Sequence, residues 1–318
     1  MRVAAPAGRL PVLVLAGPTG AGKTQWAVQL AEHAPVEIVS VDSALVYRGL
    51  DIGTAKPSRA MRARHPHHLV DVCEPTESYS AGRFVRDALR CIGEIHARRR
   101  IPLLVGGTML YLRALLDGLA PLPAAAAPLR AAIDARASQL GWPALHAELS
   151  RLDPAAAGRI APQDAQRIQR ALEVCWTTGQ PMSELQRGTV SPLAGWPLRY
   201  WMLVPTDRSA LHQSLAARLG GMMAAGFLEE VRQLRGRGDL TARHPSMRAV
   251  GYRQLWAHLD GRWPLDEAIA RALAATRQLA KRQLTWMRAE RRALRLDPAG
   301  GPLSWIRDIS ADTAALGL

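Results

Sequence analysis

Eight consecutive residues, Gly17-Pro18-Thr19-Gly20-Ala21-Gly22-Lys23-Thr24, satisfy the pattern G-x-x-x-x-G-K-[ST] at every fixed position. In such a loop successive backbone N–H groups and the start of the following helix face an anion. Lys23 adds a mobile positive charge, and the Thr24 hydroxyl can join the shell of a Mg²⁺ ion. The pattern carries weight only between a strand and a helix. Leu10 to Ala16 is an apolar run of strand length and Gln25 to His33 reads as a helix, so both flanks are present. A ligand carrying a di- or triphosphate is expected. A hydrolytic NTPase would place an Asp at the end of another strand to hold the Mg²⁺ shell. The run Ile101 to Val105 ends instead in Gly106-Gly107-Thr108, which offers backbone room and one hydroxyl but no carboxylate. The remaining strand-end carboxylate is Asp42, and it is the leading candidate for a base.

These residues need a sheet whose carboxyl edge collects them. Glu37 to Val41 reads as a second strand ending at Asp42-Ser43, Leu69 to Val72 as a short third strand, and Tyr79 to Arg100 as a helix with a basic last turn. Ile101 to Val105 follows as a buried strand, then a helix through Leu116. The alternation predicts a P-loop NTPase-like α/β fold with a doubly wound parallel sheet, and ligands of such sheets bind at the carboxyl edge. Pro121-Leu122-Pro123 and an alanine-rich tract mark a boundary, after which strand signals vanish to about Gly188. Three segments are expected: 1–120 as the first part of the core, 121–195 as an all-helical insertion domain, and 196–318 as a return to the core through a strand at Leu198 to Val204 plus additional C-terminal helices to about Arg295. The tail beyond gives no signal.

The chain has 318 residues and a net charge of +14. Such an excess favours polyanionic partners, and twelve basic residues stand against four acidic ones between Arg243 and Arg295, where a nucleic-acid surface is expected. Cys73, Cys91 and Cys175 are scattered, with no C-x-x-C pair, which argues against a disulfide framework or a structural zinc site. His65, His67 and His68 lack further ligands and read as a polar turn. No apolar run approaches the roughly 20 residues of a membrane span, and the N-terminal run leads directly into the phosphate loop rather than to a cleavage site. A cytoplasmic protein without a membrane partner is expected.

With these motifs in place, the chain resembles the bacterial tRNA dimethylallyltransferases, the isopentenyl-tRNA transferases. The resemblance rests on Gly17 to Thr24, Ser40 to Tyr47, Asp51 to Pro57, Val105 to Tyr111, Asp164 to Val174, Met247 to Gln254 and Thr276 to Arg288, which follow the family's order over nearly the whole chain. It implies transfer of a dimethylallyl group from dimethylallyl diphosphate to N6 of the adenosine just 3′ of the anticodon, in tRNAs reading codons that begin with U. The implied enzyme is Mg²⁺-dependent and monomeric, and it binds the anticodon stem-loop. Gly17, Pro18, Thr19, Gly20, Ala21, Gly22, Lys23 and Thr24 then hold the diphosphate, with Thr24 towards the metal. Asp42, Lys23, Thr108 and Arg218 form the catalytic set. The implied tRNA contacts are Asp42, Ser43, Ala44, Leu45, Thr108, Arg130, Gln166, Arg167, Ile168, Gln169, Arg170, Arg248, Gly251, Tyr252, Arg253, Lys281, Arg282 and Arg288.

Each assignment has a plainer reading. Asp42 can be a group behind the Mg²⁺ ligands, Thr108 a helix cap, Arg218 half of a surface ion pair, and Gln166 to Arg170 a solvated helix face. Trp286 is expected in the core, on an apolar stripe with Leu279 and Leu284. Two other enzyme readings share the phosphate loop: a small-molecule kinase, and a cytokinin-type transferase acting on free adenine nucleotides. Neither needs the basic C-terminal helices. An RNA-binding switch protein would leave Asp42 without a task.

Overall fold

The computed structural model describes residues 10–123 and 127–314. Five-residue β1, Val12–Ala16, is apolar and buried at every position, as a strand covered on both faces must be. In chain order it is followed by α1 (Lys23–Ala31), β2 (Val36–Val41), α2 (Arg59–Arg64), β3 (His67–His68), α3 (Ala81–Ala97), β4 (Ile101–Gly106) and α4 (Met109–Asp117). Next come α5 (Ala127–Leu140), α6 (Trp142–Leu152), α7 (Pro154–Ala157), α8 (Ala165–Thr178) and α9 (Met182–Leu185). The chain then runs through β5 (Leu198–Leu203), α10 (Arg208–Ala224), α11 (Phe227–Gly236), α12 (Tyr252–Leu259), α13 (Leu265–Ala289), β6 (Leu294–Leu296) and α14 (Leu303–Ala314).

All strand pairs are parallel, in the order β3-β2-β4-β1-β5-β6. Since β1 lies between β4 and β5, the first crossover leaves a crevice at the carboxyl edge, where a doubly wound sheet binds its ligand. The strand ends meeting there carry the phosphate loop after β1, Asp42 after β2 and Gly107-Thr108 after β4. Gly106 permits this convergence: a Cβ there would lie 2.0 Å from the Val41 carbonyl oxygen.

Two compact units emerge. One comprises the chain up to Arg113 and from Gly195 onward; the other is Ala114–Ala194. The sheet unit packs Leu13, Leu15, Ile38, Leu103 and Leu203 with Trp26, Trp201 and Trp305, and the Trp305 ring stands 5.6 Å from Trp26 and 5.8 Å from Trp201. The helical unit has its own core of Ile133, Leu145, Leu149, Ile168 and Leu172. Within it, the buried Asp153 carboxylate accepts bonds from Ala156 N, Ser183 N and the Ser183 hydroxyl, joining α7 to α9. Its boundary falls at Ala114, inside α4, rather than at the Pro121-Leu122-Pro123 break.

Three sequence expectations are corrected. Leu69 to Val72 is not a strand: Leu69 and Asp71 have φ of 60° and 57°, and β3 is the preceding His67–His68 pair. Asp71 turns towards the Lys56 and Arg62 cations, which hold the chain out of extended form. The tail, in which no signal was read, is structured. Leu294–Leu296 is a sixth strand where a helix was expected, and α14 supplies Trp305, Ile306 and Ile309 to the core. The buried stripe of α13 is Ala268, Ala272, Ala280, Gln283 and Met287, whereas Trp286 is 42% exposed.

Candidate active site

The phosphate loop turns through Gly20 and Gly22, at φ of 83° and 79°, where L-residues with side chains are strained. Gly22 caps α1 without a side-chain bond, so the first-turn N–H groups remain available to an anion. Lys23 Nζ donates to the Pro18 carbonyl at 2.8 Å, folding its charge back over the loop. Burial pushes the Lys23 pKa down to about 8; nearby Asp42 opposes this shift and the Arg218 cation adds to it. The Thr24 side chain lines the same cavity.

Opposite the loop, Asp42 Oδ1 accepts from Ala44 N at 2.8 Å and Leu45 N at 3.2 Å. These bonds shape the turn after β2. Thr108 Oγ1 accepts from Ser43 N at 3.0 Å, and its N–H donates to the Val41 carbonyl. Thr108 therefore ties the end of β4 to the end of β2 through its hydroxyl, while its carbonyl accepts the first bonds of α4 from Tyr111 and Leu112. Asp42, Thr108, Lys23, Thr24 and Arg218 all border a cavity of about 630 Å³, in which Asp42 is the single acidic wall residue among the described residues. Arg218 reaches it from α10 and donates to the Thr54 carbonyl at 3.3 Å. Crowding by the protein lowers its pKa and the Asp42 charge works against that.

The Thr54 carbonyl is itself anchored from behind. The Glu230 carboxylate accepts from three successive backbone N–H groups, Asp51, Ile52 and Gly53, and from the Tyr252 hydroxyl at 2.6 Å. Gly53 must be glycine, because a Cβ would lie 2.1 Å from the Phe227 ring. Lys56 is spent on structure as well, holding the Tyr47 carbonyl, Asp51 and Asp71.

The expected RNA contacts divide in three. Arg248 and Arg282 line the cavity, and Lys281 and Arg288 are exposed on α13. Gln166 and Arg167 are exposed on α8, with Arg167 3.5 Å from Asp164. Others have different employment. Arg130 and Arg170 both pair with the fully buried Glu173, and Gln169 donates to Asp134. Arg253 borders a separate cavity with Trp256 and Trp263. Ile168 is wholly inside the helical core, whereas Gly251 and Tyr252 are buried residues in the wall of the cavity that Asp42 borders.

Gln283 and Glu230 escaped the sequence reading, which also placed Trp286 in the core rather than at the cavity. Gln283 had a legible signal, a polar residue on the buried stripe between Ala280 and Met287. Glu230 had none, since its partners are backbone groups far away in sequence. Trp286 lines the cavity with the Arg113 guanidinium 5.6 Å from its ring centroid. The three histidines gather no metal cluster among the described residues; His68 instead bonds Glu37.

A family model described as IPP transferase matches residues 45–290. A tRNA dimethylallyltransferase of Bordetella petrii is 58% identical over 296 residues, covering 92% of this chain and 94% of the relative. The chain belongs to the IPP transferase family. Another such relative, from Leptothrix cholodnii, is 58% identical, with 94% and 93% of the two chains covered. Among solved structures, the full-length tRNA isopentenylpyrophosphate transferase of Bacillus halodurans is 35% identical with a TM-score of 0.69, covering 96% of each chain. A eukaryotic dimethylallyltransferase acting on tRNA superposes with a TM-score of 0.74 at 28% identity, over 90% of this chain and 73% of that one. IPP transferase membership fits a parallel α/β core with the phosphate loop at its carboxyl edge. Among the described residues no helix is long and apolar enough to cross a membrane.

Proposed function

We propose that this IPP transferase moves the dimethylallyl group of dimethylallyl diphosphate onto N6 of the adenosine 3′ of the anticodon in tRNA, releasing diphosphate. The carrying observation is that the phosphate loop and Asp42 open on one cavity, with Thr108 between the strand ends and no acidic residue after β4. The cavity has a cationic side for a leaving diphosphate and a carboxylate side for an amine.

The allylic C–O bond breaks with its electron pair going to the diphosphate. Loop N–H groups, Lys23 and Arg218 meet that growing negative charge. The adenine amine is a weak nucleophile because its lone pair is delocalised into the ring, so holding it against the allylic carbon supplies much of the acceleration. As the C–N bond forms, N6 becomes acidic and Asp42 takes its proton. Asp42 Oδ1 is engaged by two N–H groups, and Oδ2 carries no protein bond among the described residues, which leaves it for the amine. The Thr108 hydroxyl, beside the Ser43 hydroxyl, is the adjacent polar group for the base edge.

Mg²⁺ fits this site. A hard cation of this kind takes one or two protein oxygens and completes its shell from phosphate and water. The Thr24 hydroxyl on the cavity wall is such a donor. When bound, Mg²⁺ neutralises diphosphate charge.

To enter the cavity the adenosine leaves the anticodon-loop stack, and Arg248 and Arg282 are placed to hold the flanking phosphates. In the helical unit, Gln166 and Arg167 on the exposed face of α8 are further candidate RNA contacts. A monomeric enzyme completes this reading, and a tRNA substrate supports a cytoplasmic one. Incubation with Mg²⁺, unmodified tRNA and dimethylallyl diphosphate should yield N6-dimethylallyladenosine, detected by mass spectrometry of digested tRNA. Absence of that product, with a free adenine nucleotide prenylated or ATP consumed instead, overturns the assignment.

A further inference from the structure

We propose that Gln283 is a positioning residue that locks the diphosphate side of the cavity to the acceptor side. This rests on the transferase reading above. The Gln283 Oε1 accepts from Thr19 N at 2.9 Å, and its Nε2 donates to the Gly107 carbonyl at 2.8 Å. Thr19 belongs to the phosphate loop. Gly107 precedes Thr108, whose hydroxyl holds the Ser43 N–H beside Asp42. One amide thus bridges the segment that grips the leaving group and the segment that sets the base.

The geometry leaves the amide one orientation. Reversed, it would set NH₂ against the Thr19 N–H and oxygen against the Gly107 carbonyl, losing both bonds. Gln283 is 9% exposed, so water does not readily substitute for either end. Gly107 is fitted to this contact: a Cβ there would fall 2.5 Å from Gln283 Nε2 and 2.8 Å from the Gly17 carbonyl oxygen. The strut stands on α13, a helix of 25 residues, and so on a rigid base. Its two bonds fix the distance between the breaking C–O bond and the proton acceptor, the quantity to which a displacement of the reacting atoms is most costly.

The test uses full-length Gln283→Met, which keeps the side chain's size and loses both bonds, and Gln283→Glu, which keeps the acceptor for Thr19 and loses the donor. Single-turnover prenylation with both substrates bound is measured beside inorganic diphosphate affinity, tRNA affinity and thermal midpoint. The expected result for Gln283→Met is a chemical step slowed by about 10- to 100-fold, with both affinities within about twofold of wild type. A merely structural residue would lower the midpoint and both affinities together. That pattern overturns the proposal, as does a wild-type single-turnover rate. If Gln283→Met does not fold, Gln283→Glu decides by the same criteria. A wild-type enzyme that makes no prenylated tRNA refutes the function and not the strut alone, so the two failures are distinguishable.

Discussion

At the scale of single residues, Asp42 and Lys23 carry the most chemistry, and each has a variant suited to its surroundings. Asp42→Ala would remove the acceptor that Ala44 N and Leu45 N share, confusing a lost base with a lost turn. Asp42→Asn can keep that oxygen while losing the basic group. It should lower kcat by about 10²- to 10⁴-fold and leave tRNA affinity within about twofold; turnover near the wild-type level would remove Asp42 from the base role. Lys23 yields a pH prediction. Burial brings its pKa down to about 8, so the free protein loses this charge as pH rises through that value. A bound diphosphate favours the charged form and raises the pKa. Diphosphate binding should therefore take up protons from about pH 8 upward, and affinity should weaken as pH rises from about 8 towards the higher pKa of the complex. Calorimetry in two buffers of different ionisation enthalpy measures the uptake; zero uptake contradicts the assignment of Lys23 to the diphosphate.

At the scale of elements, the site depends on segments tied together by buried polar side chains, and these ties separate what sequence shows from what it hides. The phosphate loop, Asp42 and Gly106-Gly107-Thr108 were legible because each follows an apolar strand and a parallel sheet delivers strand ends to one edge. The anchor of Asp51 to Gly53 was not. Glu230 recognises three backbone N–H groups, which have no side-chain signature, and it acts on them from 177 to 179 residues away. Glu230→Ala should destabilise the fold by about 2–4 kcal/mol in urea unfolding, because it strands these donors and the Tyr252 hydroxyl together. It should also reduce turnover, since the Thr54 carbonyl that receives Arg218 follows this anchor directly. A variant with unchanged stability would mean that water replaces the carboxylate without penalty. Local pattern misled at β3 and β6 for a related reason. A strand of two or three residues is selected by its place at a sheet edge and by ion pairs such as Asp71 with Lys56, rather than by its own periodicity.

At the scale of the whole molecule, charge decides how a small site handles a large substrate. The net charge of +14 announced a polyanionic partner but could not say which cations are free to meet it. Folding makes that division: Arg130 and Arg170 are spent on Glu173 and Lys56 on Asp51 and Asp71, while Arg248 and Arg282 face the cavity and Lys281 and Arg288 the surface. If those last four each neutralise one phosphate of an unpaired loop, log K should fall against log salt with a slope of about −3, from about 0.7 per contact. Raising salt from about 50 to 200 mM would then weaken tRNA binding by about 50-fold. Removing Lys281 with Ala should reduce the slope by about 0.7, because the ion released with that contact is no longer counted. Removing Arg130 should leave the slope unchanged, since its guanidinium is held against the buried Glu173 carboxylate inside the helical unit. Filter binding across a salt series reads both variants. A slope that moves with Arg130 and not with Lys281 would transfer the RNA surface to α5 and α8 and leave the cations of α13 without that role.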